Sequence, residues 1–194
     1  KKMWNQIEYG EEIVSANNSE LEDQFTFGTG QSDGAEFFIK KKFGKVNGWV
    51  GYTLSQTTRN FEELNNGNTF PSKYDRTHDL SVVLMYQPHK KWKISTTFIY
   101  GSGATTTIPI NYYQYGGKIV NVYGERNSYR MPAYHRLDFG VNYIMLDEKD
   151  KYSDLTFSIF NVYNRQNPYF IFNNISGNPS AGEDLKVEAT QVSL

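Results

Sequence analysis

Along much of the chain, apolar and polar side chains take turns. In residues 48–55, Val50, Tyr52 and Leu54 fall on one side and Trp49, Gly51, Thr53 and Ser55 on the other. Leu80, Val82, Leu84 and Tyr86 stand opposite Asp79, Ser81, Val83, Met85 and Gln87, and Trp92, Ile94, Thr96, Phe98 and Tyr100 stand opposite Lys93, Ser95, Thr97 and Ile99. Leu137, Phe139, Val141 and Tyr143 alternate with Asp138, Gly140, Asn142 and Ile144, as Leu155, Phe157 and Ile159 do with Thr156, Ser158 and Phe160. A period of two marks a strand, because successive side chains of a pleated backbone point to opposite faces. The pattern predicts strands over 2–9, 34–42, 47–60, 76–87, 91–101, 134–145 and 152–163, with an eighth beginning near 186. The first and last read as cut, so the chain is expected to continue on both sides.

The connections alternate in length. Short ones fall at 43–46, 88–90 and 146–151, and long ones at 61–75, 102–133 and 164–184, the latter rich in Asn, Gly, Pro and Tyr. Long structureless loops are uncommon in a soluble domain but usual on the outer side of outer-membrane barrels, whose other side has tight turns. The segments run to roughly 10 to 14 residues, against about 5 to 6 for globular strands and about 9 to 11 for a tilted strand crossing a bilayer. Tyr86 and Trp92 flank one short turn and Tyr143 and Tyr152 another, which reads as an aromatic girdle at headgroup level. The fold class expected is therefore all-β, an antiparallel transmembrane β-barrel portion built as a meander of long hairpins. A barrel is the form required because unpaired backbone groups cannot face hydrocarbon, and closure removes the edges.

Composition narrows the partners. Of 194 residues, 20 are Lys or Arg and 21 Asp or Glu, a formal net charge of -1, so no basic face is offered to nucleic acid. Aromatic residues make up 16% of the chain, a strand-favouring balance. The absence of cysteine excludes a disulfide framework or thiolate metal site and leaves the compartment open. No run is apolar enough for a membrane-spanning helix, and the first residues lack the apolar core of a signal peptide. The low mean hydropathy looks soluble, yet barrel strands are apolar on one face only and escape such scans.

Particular words in the sequence carry a resemblance. GTGQSDGAEFFIKKKFGKVNGWVGYTLSQTTRNF, with Glu36 before a Lys-rich turn and a GW-x-x-Y-x-x-S strand, resembles a hairpin of TonB-dependent outer-membrane receptors. FPSKYDRTHDLSVV, ERNSYRMPAYHRLDFGVNY and FSIFNVYNRQNPY resemble the same family's last strands, in order. The wording is closer to receptors of the Bacteroidetes than to enterobacterial ones, and differs from the ending of SusC-like glycan importers. The resemblance implies the C-terminal part of a barrel of about 22 strands, the whole of 1–194 being barrel and the plug domain lying outside it. It further implies residence in the bacterial outer membrane and import of a nutrient of the siderophore, haem, cobalamin or glycan class, driven by proton-motive force. The implied partners are outer-membrane lipid, TonB through the N-terminal part, a small nutrient ligand and a surface lipoprotein, with no cofactor. The family's last strand usually ends on an aromatic residue, whereas this chain ends KVEATQVSL.

Candidate chemistry is sparse. Tyr74, Asp75, Arg76, His78 and Asp79 form the densest polar group; with Glu36, Arg136 and Asp138 it reads as a polar cluster on the lumen side of a barrel wall rather than a catalytic or metal centre. His78 and His135 lack the third and fourth ligands of a zinc site. GTG at 28–30 and GSG at 101–103 do not open a helix followed by Lys and Ser or Thr, so they are not phosphate loops. No nucleophile elbow or triad spacing appears, and an enzyme is not expected. Tyr112, Tyr113 and Tyr115, in the 102–133 loop, are the candidate ligand-contact residues. Two alternatives remain open. One is a soluble β-sandwich binding carbohydrate, for which Val83, Met85, Ile99 and Ile144 on the polar face speak; the other is a passive porin-type barrel.

Overall fold

A computed structural model describes residues 1–10, 25–115, 118–176 and 186–193. The strands are β1 (Lys2–Tyr9), β2 (Phe25–Lys41), β3 (Val46–Asn60), β4 (Phe70–Pro71), β5 (His78–His89), β6 (Trp92–Gly101), β7 (Thr105–Thr106), β8 (Pro109–Tyr115), β9 (Lys118–Tyr123), β10 (Tyr129–Arg130), β11 (Tyr134–Glu148), β12 (Lys151–Ile159), β13 (Pro168–Ser176) and β14 (Lys186–Ser193). Among the described residues there is no α-helix, only a 3-10 turn at Asn65–Gly67. The main sheet is antiparallel, in the order β1-β2-β3-β5-β6-β11-β12, with β4 added beside β3. It is all-β, as expected, and among the described residues it is an open sheet: no strand joins β12 back to β1.

Seven of the eight expected strands lie on this path. The eighth does not: β14 pairs with β13 in a two-stranded sheet of its own. The long connections also differ from the expectation of structureless loops. Residues 102–133 carry β7 paired with β10 and the hairpin β8-β9, and residues 164–184 include β13. These strands escape period-two reading because their side chains, as in Asn111, Tyr112, Tyr113 and Gln114, do not divide into an apolar and a polar set. The short connections hold, with residues 42–45, 90–91 and 149–150 joining β2 to β3, β5 to β6 and β11 to β12. In the first of these Gly44 takes a φ of 95°, a left-handed setting in which a side chain would be strained.

The chain divides into two compact units. One comprises residues 1–35, 54–77 and 103–131, the other 36–53, 78–102 and 132–194. In the first, β1 pairs with the start of β2, Ile7 opposite Phe27 and Tyr9 opposite Phe25. The loop after β3 folds on itself and buries Phe61, Leu64 and Phe70, with the Phe61 and Phe70 rings stacked at 6.0 Å. Gly28 makes this possible, since a Cβ there would collide with the Asn60 carbonyl and the Phe61 ring. In the second unit, β5, β6, β11 and β12 form a meander; Ile144 is its buried apolar residue among those described.

Candidate functional site

The register of the second unit converts alternating sequence into continuous rows. Val82, Phe98 and Leu137 face one another across β5, β6 and β11. Leu84, Thr96, Phe139 and Ile159 form the next row, Tyr86, Ile94, Val141 and Phe157 the one after, and Trp92, Tyr143 and Leu155 lie nearest the turns. Directly opposed residues share a face in an antiparallel pair, so four strands contribute to one apolar surface. Among the described residues no protein layer covers it: Leu155 and Phe157 are each 63% exposed, and Leu84, Phe139 and Ile159 are exposed as well.

Aromatic rings border that surface. On the turn side, Trp92 and Tyr143 pack with ring centroids 4.7 Å apart, and Tyr86 is exposed one row away, opposite Ile94. Tyr152, expected in the same girdle, alternates on β12 with Leu155 and falls on the polar face with Asp154 and Thr156. On the loop side, Leu80, Tyr100 and His135 make a row of their own. There the Tyr52 hydroxyl is 2.8 Å from His78 Nδ1, and the Tyr163 hydroxyl is 2.7 Å from His135 Nδ1. These imidazole–phenol pairs were not anticipated, yet the period of two extends through them: His78 precedes Leu80 by two residues and His135 precedes Leu137 by two. Outside the strands, the Tyr163 phenol is held above its ordinary value, first by desolvation and further by the Asp138 carboxylate, with Arg165 opposing.

The expected polar cluster separates into distinct groups. Arg136 and Asp138 share the face opposite Leu137 and bind each other, Nη2 to Oδ2 at 2.9 Å. Asp138 also accepts the Asn161 amide at 2.9 Å, and the Arg136 guanidinium stacks 3.9 Å above the Phe160 ring. Asp79 alternates onto this face and is exposed. His78 does not: it stands on the apolar side with Leu80, so its place in the cluster is corrected. Glu36 is exposed on β2 without an ion pair among those described. In the first unit Asp75 is buried and Arg76 exposed. Asp75 takes the Thr57 amide at 2.6 Å and Arg130 Nη2 at 2.6 Å. Nothing in the spacing pointed to Arg130, which is 55 positions away.

Tyr112, Tyr113 and Tyr115 lie on β8; Tyr113 and Tyr115 are exposed and Tyr112 half-buried. Among the described residues no three His, Cys, Asp or Glu side chains converge as a metal site would require. His78 and His135 belong to β5 and β11, which β6 separates, and each is engaged by a tyrosine. The GSG stretch closes β6, and Ser102 holds its end by accepting the His78 amide at 3.0 Å. Compared with protein-family models, characterised proteins and solved structures, the chain matches none.

Proposed function

We propose that this chain is part of the wall of an outer-membrane β-barrel of the TonB-dependent transporter kind, serving import of a small nutrient of the siderophore, haem, cobalamin or glycan class. One observation carries the reading: an in-register apolar surface over β5, β6, β11 and β12 that the described residues leave bare while its reverse side carries Asp79, Thr97, Asp138, Asn142 and Thr156. A soluble sheet of this size covers its apolar side with a second layer. A lipid-facing sheet is covered by the bilayer.

Strand lengths support the same reading. β5, β6, β11 and β12 have 12, 10, 15 and 9 residues, around the span of about 9 to 11 needed by a tilted strand. Ring-bearing residues bound the apolar surface on both sides, where amphipathic side chains suit the headgroup layer. The import function itself rests on the sequence resemblance.

The test is solvent preference. The chain, with the remainder of its gene product, is expected to stay monodisperse only in detergent and to float with lipid vesicles in a density gradient. Stable, monomeric behaviour in plain buffer would refute the lipid-facing assignment.

A further inference from the structure

We propose that the first residues of β1, the stretch of β2 opposite them and the end of β3 form a binding site for a sugar ring. A cavity of about 300 Å³ lies there, with Trp4, Thr29, Gln31, Thr58 and Asn60 in its wall. A local irregularity in β1 builds it: Met3 pairs with Gly30 and Gln6 with Gly28, so Trp4 and Asn5 together stand where one residue would oppose Thr29. Asn5 takes a left-handed φ of 52° at this bulge, a device that re-aims a side chain. Trp4 is consequently 70% exposed, with no aromatic ring packed on it among the described residues.

The polar wall follows from the pairing. Ser32 Oγ and Thr57 Oγ1 are 2.9 Å apart, so Ser32 and Thr57 share one face. Alternation then places Thr29 and Gln31 on the other face together with Thr58 and Asn60, and Lys2 joins them opposite Gln31. Along β3 this side runs Val46, Val50, Tyr52 and Leu54, then changes to Gln56, Thr58 and Asn60. The site therefore begins where the apolar surface of that strand ends.

The Thr29 and Thr58 hydroxyls and the carboxamide oxygens of Gln31 and Asn60, whose amide groups are anchored on Asp33 and on the Gly67 carbonyl, supply donors and acceptors in both senses, which a polyol needs, and an exposed indole offers a flat apolar platform for the C–H face of a pyranose. The volume admits a single hexose ring and little more. A free glycan and the saccharide headgroup of a glycolipid present the same chemistry; Lys2 would add a contact for a headgroup phosphate.

The inference does not rest on the transport reading and is tested separately. Trp49→Phe and Trp92→Phe leave Trp4 as the sole indole of this chain, and its emission is followed in the detergent-solubilised protein. Maltopentaose is one probe; vesicles with and without rough lipopolysaccharide are the other. A saturable emission change with maltopentaose, with binding weakened about tenfold or more by titration calorimetry in Trp4→Ala, which keeps no indole to follow, and reduced in Gln31→Ala, supports the site with a free glycan as ligand. A saturable change only with lipopolysaccharide vesicles, equally dependent on Trp4 by flotation of Trp4→Ala, supports it with a glycolipid. Failure of both probes, or binding unchanged in Trp4→Ala, overturns it.

Discussion

Asp75 shows what one side chain does for the first unit. Its two oxygens are divided between the Thr57 amide and the Arg130 guanidinium, and Arg130 in turn donates to the Gly103 carbonyl at 2.8 Å and to the Asp75 carbonyl. One carboxylate thereby ties the end of β3, the approach to β5 and β10. Asp75→Ala removes the acceptor for a part-buried amide and is expected to destabilise the protein by about 1–3 kcal/mol, the ordinary cost of orphaning such a group. Arg130 keeps access to water, which limits the loss. The measurement is the urea midpoint together with hydrogen exchange at the Thr57 amide; an unchanged midpoint and unchanged protection would show that the contact is idle. The polarity of Asp75 was legible in the sequence, but its partner was not, because a contact closed across 55 residues leaves no periodic mark. His78 illustrates the converse: residue type suggested the polar face, whereas its position two before Leu80 decides the apolar one.

Strand β6 tests the assignment of faces, since adjacent residues on it point to opposite sides. Phe98 lies between Val82 and Leu137 in the apolar surface, and Thr97 lies between Val83 and Asp138 on the reverse. Phe98→Arg is expected to cost about 2–4 kcal/mol in a bilayer, while Thr97→Arg, beside the Asp138 carboxylate, is expected to be tolerated. Folding into vesicles against urea reads the difference, and equal effects of the two substitutions would contradict a lipid-facing Phe98. Elements of this kind were legible because lipid or core on one side and water on the other impose a period of two. The first part of β2 was not: Gly28 and Gly30 read as turn and strand entry ahead of the strand expected over 34–42, whereas they sit inside β2 where neighbouring backbone and side chains come close. The β8-β9 hairpin was missed for a different reason, its tyrosines and amides giving neither face an apolar identity. β14 was found as a strand, but its partner β13 was not, since alternation did not reveal β13.

For the whole molecule, the lasting feature is the regular alternation of tight turns and long connections. In the second unit, residues 42–45, 90–91 and 149–150 close three hairpins at the same end of an antiparallel meander and carry Lys42, Lys45, Lys90, Lys91 and Lys149. In a bilayer these amines are expected to react together with an impermeant acylating reagent from one side only. Peptide mapping after labelling sealed, uniformly oriented vesicles would show it; labelling of some turns from each side would break the topology. The open sheet has one more consequence. Its outermost strands, β1 and β12, present rows of N–H and C=O groups that no described strand receives, and such rows template whatever extended chain comes alongside. Removed from its natural surroundings and concentrated, this chain would therefore grow by copying its own border, molecule upon molecule, into fibrous material.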